Sequence, residues 1–299
     1  MKNNKEISII RVPLWYGCER RGVEMAPALL SEALRASEFK QNIVEEIDIP
    51  IPEIQADSSI DIHSQYIQPV SELNKHIASV VAAQLAKGRF VLTIGGDHAL
   101  GLGTVSGSLK QDENVGVIWF DAHGDMNTEA TSPTGHIHGM PTAALMGLCK
   151  SELNEVSDPH LKPENIFWVG ARSMDEGERE LAKKLHLSIY PTKHIHNVGM
   201  KAVMQDISEK MKQQGIQHIH ISFDVDAFDP TIFPATGVPV PNGLWMDDFE
   251  EFVTLLPTLP ELRAIDIVEY NPLLEIVEQS SKEICLSAII RLLLTKISS

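Results

Sequence analysis

Residues 115 to 120, VGVIWF, form an apolar, β-branched run of strand length that ends at Asp121-Ala122-His123-Gly124-Asp125. In extended backbone, side chains at i, i+2 and i+4 share one face, so Asp121, His123 and Asp125 can converge beyond the strand. Taken alone, the stretch is equally a strand running into a polar loop. Two further apolar runs end in the same way. VLTIGGDHAL places His98 just past its run, and HIHISFDVDAFDP places Asp224 and Asp226 two apart. No Lys or Arg adjoins these motifs, and carboxylates gathered in this way repel one another unless cations lie between them. Four aspartates and two histidines suit manganese or another first-row divalent ion, not copper(I) or an iron-sulfur cluster. Six ligands are more natural for two ions than for one. A two-metal site can bridge a water, lower its pKa towards roughly 7 and present hydroxide to carbon or phosphorus, which makes hydrolysis the reaction class. Phosphoester hydrolysis is disfavoured, because the chain has no Gly-rich phosphate cradle followed by Lys.

The elements that must hold these groups alternate along the chain. Strand-like runs occupy 7–12, 43–49, 90–94, 115–120, 166–170, 187–190, 218–223 and 262–269, and amphipathic helical patterns occupy 26–37, 70–88, 176–186, 200–215, 246–257 and 280–297. Such alternation predicts a parallel α/β sheet. Eight units fit either an open doubly wound sheet or a closed barrel, and both bind ligands at the carboxyl ends of strands. The segments 123–139 and 227–243 are long and turn-rich for α/β connections, as substrate-shaping loops are. No internal repeat or Pro/Ser-rich linker divides the chain, so 1–299 is expected to be one domain.

Composition narrows the partners. With 25 Lys plus Arg against 41 Asp plus Glu, the formal charge is −16. That field disfavours nucleic acid and anionic membranes and favours cationic ligands, although net acidity also serves solubility alone. Three cysteines without CxxC or Cys/His spacing indicate neither a disulfide framework nor a thiolate zinc site. No signal-peptide pattern opens the chain and no uncharged stretch is long enough to cross a bilayer, so a cytoplasmic location is expected.

GGDH, DAHxD and SFDxDxxDP, in this order and spacing, resemble the ureohydrolase family, and within it the arginase group. The match extends through RGVEMAP, SPTGHIHGMP, GARSMDEGE, PATGVPV and IDIVEYNP, nearly the whole chain. The resemblance implies a three-layer α/β/α sandwich around an eight-stranded, mainly parallel sheet, two Mn²⁺ per subunit and assembly as a homotrimer or homohexamer. It further implies that His98, Asp121, Asp125 and Asp224 serve one ion or bridge both, and that His123, Asp121, Asp224 and Asp226 serve the other. A bridging hydroxide would attack the guanidinium carbon of L-arginine, giving L-ornithine and urea. Asp125 would take the hydroxide proton, His138 would shuttle it to the departing amine or to bulk water, and Glu269 would hold the guanidinium. Asn127, Thr134 and His136 would read the α-carboxylate; Asp175 and Glu178 would receive the α-ammonium, directly or through water. Blander roles remain open for the outer residues: Asn127 and Thr134 as turn formers, Asp175 as a helix cap.

His136 departs from the family pattern, which usually has Asn there. An imidazole also donates a hydrogen bond, but its bulk can shift affinity or selectivity. Agmatinase and formiminoglutamase are the enzymatic alternatives. The second must hold an extra carboxylate, and the loop 123–142 has no Lys or Arg. An inactive metal-binding relative is the remaining alternative, although such a relative would be free to lose some of these groups.

Overall fold

The computed structural model describes residues 5–53, 66–276 and 280–297. In chain order its main elements are β1 (Ile7–Val12), α1 (Ala26–Arg35), β2 (Ile43–Asp48), α2 (Ile67–Ala86), β3 (Phe90–Gly95), α3 (Gly101–Leu109), β4 (Gly116–Phe120), α4 (Pro141–Leu145) and β5 (Ile166–Gly170). The rest are α5 (Glu176–Leu185), β6 (Ser188–Pro191), α6 (Thr192–Val198), α7 (Met200–Gln213), β7 (His218–Asp224), α8 (Met246–Leu255), β8 (Glu261–Val268) and α9 (Ser280–Ile297). All eight expected strands are present, each within a residue of its expected ends. They form one sheet in the order β2-β1-β3-β8-β7-β4-β5-β6, with every pairing parallel. The sheet is open, with β2 and β6 at its edges, so the barrel alternative does not hold.

Helices cover both faces, and the central strands therefore read as continuous apolar runs instead of alternating ones. β3, β4 and β5 are buried at every residue. On one face Leu30 and Leu34 of α1, Met204 and Ile207 of α7, Phe249 and Phe252 of α8 and Ile289 of α9 pack on Leu92, Phe120, Phe223 and Ile267. The other face carries α2, α3 and α4, with Ile77, Val81, Val105 and Ala144 against Val91, Val117, Trp119 and Trp168. This is the three-layer arrangement. Among the described residues, no helix is long and apolar enough to cross a membrane.

Helix α3, GLGTVSGSL, has no amphipathic period because all nine of its residues are buried. Its glycines set how closely it lies on α2. A Cβ at Gly103 would stand 2.6 Å from the Asn74 amide oxygen, and one at Gly107 would stand 2.6 Å from Val81. That close approach offsets the low helix propensity of glycine.

After β3 the chain crosses two strand positions before β4, and β7 and β8 later fill that gap. The carboxyl ends of β3, β8, β7 and β4 thus lie side by side in the middle of the sheet, where the strand order reverses and open α/β sheets bind ligands.

Candidate metal centre and substrate cavity

Each ligand-bearing strand ends in the same local device. A strand-terminal aspartate accepts the backbone N–H two residues on: Asp97 from Ala99 at 3.1 Å, Asp121 from His123 at 2.7 Å, and Asp224 from Asp226 at 2.7 Å. These Asx turns satisfy donors that the sheet has just released. They also replace the extended backbone expected over 121–125. Regular strand stops at Phe120, and Asp125 adopts a left-handed φ of 50°. Convergence of Asp121, His123 and Asp125 therefore comes from a turn and a reversed residue, not from strand alternation.

In Asp121 and Asp224 the turn uses Oδ1 and leaves Oδ2 pointing inward. His98 Nδ1 lies 3.0 Å from Asp121 Oδ2, 3.1 Å from Asp125 Oδ2 and 3.3 Å from Asp224 Oδ2. His123 Nδ1 lies 2.9 Å from Asp226 Oδ2 and 3.5 Å from Asp121 Oδ1. The six expected ligands thus form two adjoining groups, His98-Asp121-Asp125 and Asp121-His123-Asp226, with Asp121 common to both and Asp224 against the first.

The donor set fits divalent cations on an observation independent of motif. His98 is fully buried, and its Nδ1 makes no hydrogen bond despite facing three carboxylate oxygens. At its other nitrogen, Ser222 Oγ gives its proton to Asp266 and so accepts from His98 Nε2–H at 2.9 Å. The tautomer follows. With Nε2–H on Ser222, Nδ1 is the ring's remaining ligand atom, and in the ion-free centre its three carboxylate neighbours favour a second proton there, in the position a cation would take. Burial, reinforced by Asp226 and Asp121, raises the Asp224 carboxyl well above its ordinary range. Burial and the neighbouring Asp121 push Asp125 up to about 7. Excess negative charge in a dry site has this signature, and a bound divalent ion reverses it.

Glu269, just past β8, accepts from the His98 backbone N–H at 2.9 Å and lies 3.0 Å from His138 Nδ1. Burial alone would lower the His138 imidazole, but the pairing with Glu269 outweighs it and lifts the ring to about 9. Glu269, like Asp125, has a left-handed φ, here 64°. A residue with a Cβ adopts that conformation at a cost of roughly 1–2 kcal/mol, and such strain collects where side chains must be aimed.

A 250 Å³ cavity opens above these groups, and Asn127, Thr134, His136, Asp175 and Glu178 all line it together with Asp125 and His138. Several are engaged with one another. Glu178 accepts the N–H of Met126 at 3.0 Å and of Asp175 at 2.7 Å, one on each carboxylate oxygen. Asn127 Nδ2 donates to Asp175 at 2.8 Å, while Asn127 Oδ1 accepts from Thr131 at 3.0 Å. Thr134 Oγ1 accepts the His136 N–H at 3.2 Å. Glu178 and Asn127 therefore tie the 126–139 loop to the start of α5, and Asp175 is the acid they hold at the rim. Ser132, Ser173 and Val238 also line the cavity and were not among the expected residues.

Arg172 was also not expected. Its guanidinium reaches the carbonyls of Gly170, Asp226, Ala227, Phe228, Val240 and Pro241, all between 2.8 and 3.3 Å. One planar fork thereby fastens the Asp226 turn to the 240–241 loop. Arg172→Ala is expected to lower the unfolding free energy of the metal-free protein by about 3 kcal/mol, because several charged-donor bonds to mostly part-buried carbonyls are lost together. Arg172→Lys should recover only part of that. An unchanged urea midpoint in the alanine variant would mean that these carbonyls find other donors.

The Arginase family model matches residues 5–295. An arginase of Bacillus caldovelox is 36% identical over 277 residues, covering 91% of this chain and 92% of that protein. Its crystal structure superposes with a TM-score of 0.89 at 34% identity, over 96% of this chain and 98% of that one. The arginase of Entamoeba histolytica, solved in complex with L-ornithine, gives a TM-score of 0.88 at 33% identity, over 97% and 98% of the two chains.

Proposed function

The chain belongs to the arginase family and is an arginase-type hydrolase, and from that premise we propose that it cleaves L-arginine to L-ornithine and urea with two Mn²⁺. The observation that carries this reading is the sharing of Asp121 between two ligand groups, each completed by its own histidine and aspartate. His98, Asp125 and Asp224 would hold one ion and His123 and Asp226 the other, with Asp121 and Asp224 serving both. Two such ions, when bound, supply Lewis acidity that brings the pKa of a water towards roughly 7.

The protein's own groups then divide the remaining work. Glu269 faces the substrate guanidinium as its counter-charge. Asp125, which lines the cavity beside His138, takes the proton released as the water adds to carbon. His138 has Nδ1 against Glu269, which leaves Nε2 to give a proton to the departing amine. Holding the ring cationic near neutral pH is what Glu269 does for that step. At the rim, Asp175 receives the α-ammonium, Glu178 and Asn127 brace it, and Thr134 and His136 face the α-carboxylate. The Entamoeba relative was solved with L-ornithine bound, which supports an amino-acid ligand for this family's fold. We further read 1–299 as one domain, cytoplasmic and assembled as a homotrimer or homohexamer.

A panel of arginine, agmatine, guanidinobutyrate and formiminoglutamate, assayed after manganese loading at mildly alkaline pH, tests the assignment. Arginine is expected to lead widely, and His136→Ala should narrow its margin over agmatine by raising KM for arginine alone. Preference for agmatine would reassign the rim, and manganese uptake without turnover of any member would make the chain an inert relative.

A further inference from the structure

Asp266 lies in the middle of β8, fully buried, among the strand's apolar residues. Three donors converge on its Oδ2: Thr104 Oγ1 at 2.5 Å, His220 Nε2 at 2.9 Å and Ser222 Oγ at 3.2 Å. His220 is itself fixed by Ser108 Oγ, 2.8 Å from its Nδ1. Oδ1 has no hydrogen-bond partner among the described residues. A buried carboxylate left half satisfied costs stability compared with an apolar side chain of the same size. Its presence is better accounted for by what it does at the end of the chain of bonds.

That end is His98. Ser222 donates to Asp266 and accepts from His98 Nε2–H, so the negative charge is relayed to the imidazole through one hydroxyl. The ring is further clamped flat on Trp119, at 4.1 Å between centroids and 8° between planes. The other histidine of the centre is built differently. His123 is 22% exposed at its side chain, and among the described residues nothing hydrogen-bonds its Nε2. Resting on the two-ion reading above, we infer that Asp266, acting through Ser222, is a positioning residue that sets metal affinity in the His98 half of the centre and not in the His123 half. A carboxylate behind an imidazole N–H fixes the tautomer and raises ligand basicity, and outer partners of this kind are worth about 10–100-fold in metal affinity.

The test is manganese titration of chelator-stripped protein by calorimetry, with the free ion followed by electron paramagnetic resonance. The parent is expected to take two ions. In Asp266→Asn and Ser222→Ala one of them should bind about 10–100-fold more weakly and the other as in the parent. Ser222→Thr, which restores the hydroxyl, should recover most of the loss. A merely structural effect would weaken both ions together and lower the melting temperature of the stripped protein. If Asp266→Asn does not fold, Ser222→Ala decides, since it cuts the relay while Asp266 keeps His220 and Thr104. Unchanged affinity, or an equal fall for both ions, overturns the inference. A parent that takes up one ion refutes the two-ion reading and leaves this claim to be decided on that ion; no uptake overturns both.

Discussion

Asp121→Asn is expected to reduce kcat/KM for arginine by more than about 10³-fold, since a single lost electrostatic stabiliser at a reacting centre already costs roughly 10²–10³. Asp121 belongs to both ligand groups, so on the proposed two-ion reading its charge would be lost to both ions at once. Its Oδ2 faces His98 at 3.0 Å and accepts from Trp119 Nε1 at 3.0 Å, while Oδ1 holds the His123 N–H. Asparagine can keep the Oδ1 turn, and the fold should survive with unchanged circular dichroism. What disappears is the anionic Oδ2, replaced by an amide that is a poor ligand on the nitrogen side and only a weak one on the oxygen side. Manganese stoichiometry should fall together with activity. Asp226→Asn makes the contrast, because Asp226 serves only the His123 group and one ion should remain. Two ions retained in Asp121→Asn, with activity within about tenfold of the parent, would sink the shared-ligand account.

The candidate ligands were legible because each stands just beyond an apolar run. Asp and His at three strand ends are conspicuous, and the sheet brought together all six with Glu269 from a fourth. Strand existence was equally plain, since β3, β4 and β5 are buried on both faces and carry unbroken apolar sequence. Strand order was not, because periodicity describes one element at a time and the crossover from β3 to β4 leaves no local mark. Helix α3 escaped for the opposite reason: buried all round and rich in glycine, it has no polar face to set a period. Asp266 and Ser222 lie inside strands, where a single polar residue reads as a gap in the pattern. Only the folded register, which places Ser222 opposite Asp266, shows them to be partners. Glu178 was legible as a rim residue but not as a brace, since its two backbone donors come from separate loops.

Glu269→Gln is expected to have the second largest effect, with kcat/KM down about 10²–10³-fold, because truncating one side of a buried charge pair costs 2–5 kcal/mol or more. The substrate guanidinium loses its counter-charge, and His138 loses the partner that lifts it to about 9. The same pair has a stability signature in the metal-free protein. His138 is raised from 6.5, so its contribution is complete below that value and is lost as pH climbs through about 9. Burial opposes ionisation of Glu269, but pairing with His138 outweighs it and lowers the group from 4.5, so its contribution is present above that value and is lost as pH falls through the lowered one. Between these limits the parent should exceed Glu269→Gln most, and the excess should shrink by on the order of 3 kcal/mol between about pH 6 and about pH 10. Urea unfolding at the two pH values measures this, and the His138 ring can be followed by NMR, where its titration should move to lower pH in the variant. An excess independent of pH, or an unmoved His138 titration, would show that the two groups are neighbours without being a pair, and His138 would then need another source of charge to protonate the leaving amine.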